Sequence, residues 1–337
     1  MQSGIQSSQD AASYYDVVTC AACGSGQLEP WGKEVDQYRL VRCGRCGFVC
    51  VGHRPTIAAI TEYYSSPSQY DVWEAALDAR QKMWTNRVNL LKKMPLRGSL
   101  LDVGTGIGQF LAVVRPLVDR VTGTEVSSSA CEAAKRLYDL HVRHGVLEDI
   151  PFTERFDVIT LFHVVEHVDN PAVTLTTCAR LLDDQGLIAM AVPNEIQGLR
   201  FVLTRLLCRI APGLIARPFF TPPINLSVPD QEIHLSYFTP RSAARLFETC
   251  GFEVQAILPD PYYPVKNNVM TMAKASWYQV SRVIQRLTGH VSYDAFVVVG
   301  RKRQASRGYS SLDVHATLFA EGIPAKRSLE ELRRLKG

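Results

Sequence analysis

A chain of 337 residues that is 46% hydrophobic and 21% charged has ordinary globular composition, enough for one large α/β domain with small attachments. No uninterrupted apolar run of about 18 residues occurs, which argues against a membrane-spanning helix. The formal charge of +4 sits at the end of the chain, where residues 301–337 hold nine Lys/Arg against four Asp/Glu. The remainder is close to neutral, so the body is not expected to bind nucleic acid.

Residues 1–16, rich in Ser and Gln, read as a flexible leader with neither the basic start nor the apolar centre of a secretory signal. Residues 17–54 contain Cys20-Ala21-Ala22-Cys23 and Cys43-Gly44-Arg45-Cys46, separated by 19 residues. Gly24 and Gly47 follow the two pairs, as tight knuckles around thiolates favour. This spacing predicts a zinc ribbon in which Cys20, Cys23, Cys43 and Cys46 hold a structural Zn2+ in a closed tetrahedron. Cys50 and His53 read as bystanders. The other cysteines are scattered, so thiols in a reducing, cytoplasmic compartment are expected rather than disulfides. Five basic and three acidic side chains between Val17 and Arg54 give the ribbon a weak nucleic-acid footprint.

Residues 55–95 read as a helical linker or cap, carrying Tyr63, Tyr64, Trp73 and Trp84 and stopped by Pro95 and Gly98. A regular alternation follows over residues 96–303. Strands are predicted at 99–103, 121–126, 142–147, 156–165 and 186–192, with helices at 110–114, 127–138 and 172–182. That order implies an α/β fold with a mostly parallel sheet and helices on both faces, binding ligands beyond the carboxyl ends of its strands. Residues 195–237 break the rhythm as an insertion. Within it Leu199, Val202, Leu203, Leu206 and Ile210 form one helical face. Packing on the domain itself is the ordinary expectation; covering the acceptor pocket or resting on a membrane surface are the functional alternatives. A helix at 240–250 and strands at 252–258 and 295–299 close the domain, and 304–337 reads as a basic tail.

The run Leu101-Asp102-Val103-Gly104-Thr105-Gly106-Ile107-Gly108 joins a strand to a helix. Its glycines permit a sharp turn and close approach of a ligand to main-chain N–H groups. Glu125, at the end of the second strand, is placed to accept hydrogen bonds from ribose hydroxyls. Asp102 before the first glycine suits a ligand with a positive end. No Lys-Ser or Lys-Thr closes the loop, which excludes a nucleoside-triphosphate P-loop.

These residues, with 148–152, 156–159, His163 to Pro171, 181–186, Pro193-Asn194, and His234 to Pro240 followed by Cys250-Gly251-Phe252, resemble class I methyltransferases of the ubiquinone-biosynthesis type. The resemblance covers roughly residues 96–258 in matching order. It implies a Rossmann-like fold with a seven-stranded sheet and S-adenosylmethionine as cofactor. Asp102, Gly104, Gly106 and Gly108 would surround the methionine part and Glu125 the ribose, within a contact set completed by Thr105, Val126, Leu147, Glu148 and Phe162. Many relatives have Asp where this chain has Val146, so Glu148 or a nearby backbone amide is expected to serve the adenine.

His163-Val164-Val165-Glu166-His167 also matches the H-x-x-E-H protease pattern, which requires a helix presenting both histidines. A strand running directly into His163 and Pro171 soon after disfavour that reading. As a methyltransferase site, His163 and His167 are candidate bases, Glu166 their orienting partner and His234 a third candidate. The cysteine pairs, tyrosines and core in this order resemble bacterial enzymes that modify sugars and surface glycans. O-methylation of a sugar, glycan or other small hydroxylated molecule is therefore the first expectation. An RNA or protein methyltransferase would require a basic cleft or an Asn/Asp-Pro-Pro-Tyr site, and Phe162-His163-Val164-Val165 is not one. A non-catalytic cofactor-binding module is the remaining alternative.

Overall fold

The computed structural model describes residues 14–32, 39–64, 71–92, 96–198, 231–261 and 269–303, with isolated positions between 202 and 228. The chain opens with five short strands: β1 (Tyr14–Asp16), β2 (Leu28–Pro30), β3 (Leu40–Cys43), β4 (Val49–Val51) and β5 (His53–Pro55). Helices α1 (Ile57–Tyr64), α2 (Asp71–Glu74) and α3 (Leu77–Leu91) follow. The alternating region comprises β6 (Ser99–Val103), α4 (Gln109–Val114), β7 (Arg120–Glu125), α5 (Ser128–Tyr138), β8 (Val142–His144), β9 (Phe156–Phe162), α6 (Pro171–Leu181) and β10 (Leu182–Pro193). After it come β11 (Ser236–Tyr237), α7 (Pro240–Thr249), β12 (Phe252–Pro259), α8 (Val269–Thr288) and β13 (Ala295–Lys302).

Seven strands form one sheet in the order β12-β13-β10-β9-β6-β7-β8. Pairing is parallel from β10 through β8, and β13 runs antiparallel to both β10 and β12. The central strands β6, β9 and β10 are apolar on both faces because helices cover both, and Leu100, Ile159 and Ile188 are fully buried. Local chemistry sets several ends. Ser127 caps α5 through its side chain, Asn170 caps α6 with Pro171 behind it, and Thr239 with Ser242 makes a capping box on α7.

The N-terminal strands do not stand apart. The second sheet has the order β11-β4-β3-β2, so Ser236 and Tyr237 complete it across a long sequence separation. Cys20, Cys43, Phe48 and Cys50 share one core with Leu101, Ile159, Phe238 and Phe247.

Four expectations are corrected here. Tyr14, Tyr15 and Asp16, read as part of a flexible leader, form β1 against β5, and the Tyr15 hydroxyl reaches Asp169. The third strand ends at His144, and Leu147–Asp149 is a 3-10 turn. The fourth ends at Phe162, because His163 adopts φ 56° and leaves the extended conformation. Val202, Leu203 and Leu206 are about half exposed and Ile210 is more exposed, so this face is covered only in part rather than buried as a packed seam. Leu199 and the tail at 304–337 lie outside the described residues.

Candidate active site

A cleft of about 1340 Å³ opens at the carboxyl ends of β6, β7, β9 and β10. It is lined by Asp102, Gly104, Thr105, Gly106, Glu125, Val126, Leu147, Glu148, Phe162, His163, His167 and His234. Of the expected residues, Gly108 and Glu166 stand behind the wall rather than on it.

The loop after β6 is built by its glycines. Gly104 and Gly106 have φ 65° and 56°; a Cβ on Gly104 would come within 2.6 Å of Val164, and one on Gly106 within 2.7 Å of the Trp73 ring. Neither position admits a side chain without displacing a cleft wall. The Glu125 carboxylate, 5% exposed, accepts the Gly106 N–H at 2.8 Å and the Ser127 N–H at 3.0 Å. It thereby fixes the loop against the end of β7, and a carboxylate with about four acceptor sites can still receive ligand hydroxyls. Asp102 accepts from the Thr160 hydroxyl at 2.6 Å, and burial pushes its carboxyl up to about 7. A cation beside it would restore its charge. Glu148 accepts from the Thr174 hydroxyl at 2.6 Å.

The other half of the cleft holds three histidines, each held differently. His163 sits at the left-handed end of β9, its backbone N–H donating to the Ala191 carbonyl at 3.0 Å. Its Nδ1 lies 3.1 Å from Glu166 and its Nε2 3.3 Å from Asp260. Burial opposes a charge on this ring, but the two carboxylates outweigh it and raise its pKa above the ordinary value. Asp260 in turn receives a two-pronged contact from Arg87 on α3, at 3.1 and 2.6 Å, both side chains buried. Burial would raise the Asp260 and Glu166 carboxyls; Arg87 and His163 hold the first to about 2, and His163 and His167 the second to about 2.

His167 presents Nδ1 to the Ile233 carbonyl at 2.7 Å and to the Tyr64 hydroxyl at 3.1 Å. An Nδ1 that donates to a carbonyl leaves Nε2 with the lone pair. Burial lowers the pKa of this ring. His234 packs edge-on against it, with centroids 4.9 Å apart, and bonds Glu195 through Nδ1 at 2.9 Å. Although burial opposes it, the Glu195 charge raises His234 to about 9. The five residues from His163 to His167 form turns, not a helix, which removes the protease reading.

Two groups of ligand-type atoms converge within 4.8 Å of one another. In Cys20, Cys23, Cys43 and Cys46 the sulfurs face each other at 3.5 Å (Cys20 to Cys46) and 3.6 Å (Cys23 to Cys43). Glu166, His167 and His234 form the second group, in which the Nδ1 atoms of His167 and His234 are already engaged by the Ile233 carbonyl and the Glu195 carboxylate.

Arg87, Asp260, Tyr64, Glu195 and the stacked pair Arg80 over Trp73, at 4.2 Å, belong to the site without having been expected there. The aromatic residues of 55–95 were visible as a class. No pattern links Arg87 to a carboxylate 173 positions away.

A family model described as a methyltransferase domain matches residues 76–257. The ubiquinone biosynthesis O-methyltransferase of Candida albicans mitochondria is 37% identical over 107 residues, which is 29% of this chain and 33% of that protein. The enzyme of that description from Bradyrhizobium diazoefficiens is 34% identical over 101 residues, 28% of this chain and 40% of its own length. The matches thus span well under half of either relative. Among solved structures, magnesium protoporphyrin IX methyltransferase from Synechocystis aligns over 73% of this chain and all of its own, with 11% identity and a TM-score of 0.47.

Proposed function

Because this chain belongs to the methyltransferase-domain family, we propose that it transfers a methyl group from S-adenosylmethionine to a hydroxyl of a sugar, glycan or other small hydroxylated molecule. The observation that carries the reading is one continuous cleft in which the Asp102–Glu125 half meets the His163–His167–His234 half.

S-adenosylmethionine, when bound, supplies an electrophilic methyl group on a sulfonium centre. Asp102 would face the ammonium end, the glycine loop would admit the methionine part and Glu125 would accept from the ribose hydroxyls. Leu147, Val126 and Phe162 would give the apolar surroundings, and Glu148 would serve as acceptor for the adenine amino group. His167 takes the proton of the acceptor hydroxyl at Nε2, which keeps its lone pair while Nδ1 donates to the Ile233 carbonyl. His163 and His234, both engaged by carboxylates that raise their pKa values, orient rather than accept. In-line displacement in a water-poor cleft accounts for the rest of the rate.

Acidic side chains outnumber basic ones on the cleft wall, with Glu62, Asp169, Glu195, Glu232 and Asp294 against Arg80, Arg87 and Lys274. The wall therefore lacks the basic excess that binding an RNA phosphate chain requires.

The cysteine cluster fits a structural Zn2+. A tetrahedral thiolate cage with bonds of about 2.3 Å has edges of about 3.8 Å, close to the sulfur separations present. All four positions are taken by protein, so the metal supports the fold and no catalytic role is assigned to it.

The test is incubation of purified protein with methyl-labelled S-adenosylmethionine and a fractionated extract of its source. Label in the sugar, glycan or small-molecule fraction is the expected result. Label in RNA or protein would replace the acceptor assignment, and cofactor binding with no label in any fraction would leave a binding module.

A further inference from the structure

Helix α8 is amphipathic in an unusual sense: its outward face is the apolar one. Val269, Met272, Val280, Val283 and Leu287 are all exposed, Val269 at 84% and Leu287 at 75%. Together with Ser276 they recur at intervals of three or four residues and make a single stripe along the twenty-residue helix. The inward face is accounted for. Tyr278 is buried edge-on against Tyr293, Ser281 bonds Ser292, and Gln285 donates to the Ile257 carbonyl of β12. Packing among the described residues therefore does not explain the stripe, and an apolar strip of this length on a surface marks a contact with something else.

The charges say what that is. Between Val269 and Thr288 the sequence has Lys274, Arg282 and Arg286 and no acidic residue. Residues 198–223 share this character, with Arg200, Arg205, Arg209 and Arg217, no acid, and the exposed Val202, Leu203, Leu206 and Ile210. A second copy of α8 would bring cation against cation with nothing to neutralise them. An anionic bilayer surface matches both features, taking apolar side chains below its headgroups and attracting Arg282 and Arg286 beside the stripe, while Lys274 faces the cleft.

We propose that the outward face of α8 docks this protein on an anionic lipid surface, lying in the interface rather than crossing it; no described helix is long and apolar enough to span a membrane. Lys274 lines the cleft from the opposite face of the same helix, so docking would set the cleft about one helix diameter from the headgroups. The methyl acceptor is then a hydroxylated headgroup or lipid-carried molecule. That last clause rests on the methyl-transfer reading, whereas lipid docking does not.

Cosedimentation of the full chain with vesicles separates the possibilities. Binding is expected to phosphatidylcholine vesicles containing phosphatidylglycerol, to fall steeply with added salt, and to be weak on phosphatidylcholine alone. The double variant Val283→Asn, Leu287→Asn should partition at least about tenfold less while melting at the same temperature and binding S-adenosylmethionine unchanged. No binding by the unaltered chain overturns the proposal, as does equal binding by the variant. A dimer in solution that the variant dissociates overturns it too, since the face would then belong to a second copy. Vesicle binding without methylation of any fraction would leave docking standing and sink only the acceptor clause.

Discussion

At the scale of single residues, the three histidines differ because their neighbours differ. With the pKa values of His163 and His234 raised and that of His167 lowered, the turnover rate should depend on pH in a defined way. The proposed role of His167 as base needs its neutral form, and burial lowers its pKa, so the acid limb should lie below the ordinary imidazole value of about 6.5. The alkaline limb should fall near 9, where His234 loses its proton, and His234→Asn should remove that limb. His167→Ala is expected to lower kcat by about 10²–10⁴-fold with little change in cofactor affinity, read from kcat and calorimetric titration. A variant whose kcat is intact would reassign the base. Glu125→Ala should weaken S-adenosylmethionine binding by about 1–3 kcal/mol, the range for lost hydrogen bonds to a charged group. Arg87→Met leaves Asp260 buried beside His163 alone, and a cost of about 3–5 kcal/mol in chemical unfolding is expected. Both Asp260 and Glu166 have folded pKa values depressed to about 2. Their contribution to stability is therefore complete above the unfolded values near 4 and is lost as pH falls toward about 2. Acid unfolding in that window, shifted in Asp260→Asn, checks the sign.

Elements were legible where burial imposes one simple pattern. The apolar run at 156–162 and the glycine loop at 104–108 read directly, because a strand covered on both faces and a turn closed to side chains leave few alternatives. Gly104→Ala should show the second constraint: with φ 65° and a contact to Val164, it is expected to lower the melting temperature and weaken cofactor binding together. Unchanged values for both would mean the loop relaxes freely. Helix α8 was not anticipated. Its stripe of exposed apolar residues blurs the contrast between inner and outer faces on which periodicity depends. Strand β11, two residues long, was hidden in the insertion because pairing with β4 is a tertiary fact that its own sequence does not encode. The Arg87–Asp260 pair was invisible for the same reason: two charges in unrelated segments carry no mutual signal.

For the whole molecule, the cysteine strands and the seven-stranded sheet melt as one body if the shared core means what it implies. Phe48 lies edge-on against Phe238 with centroids 5.4 Å apart, and the Leu235 and Ser236 N–H groups both donate to the Glu166 carbonyl. Removing zinc with a chelator, or replacing Cys43 by Ser, should lower the temperature of a single calorimetric transition. Two separated transitions would show an independent module instead. The loss should also reach His234, three residues before the end of β11, and so reduce acceptor turnover more than cofactor binding.

The pairing of β4 with β11 also has a consequence in time. During synthesis the cysteine strands leave the ribosome first, yet the partner for the Val49–Val51 edge is made roughly 185 residues later. Until then β4 carries an open strand edge, and the zinc proposed for the four cysteines would order β3 and β4 while that edge waits for its partner. Zinc starvation should therefore appear first as lost yield of newly made protein, before any change in the activity of molecules already folded.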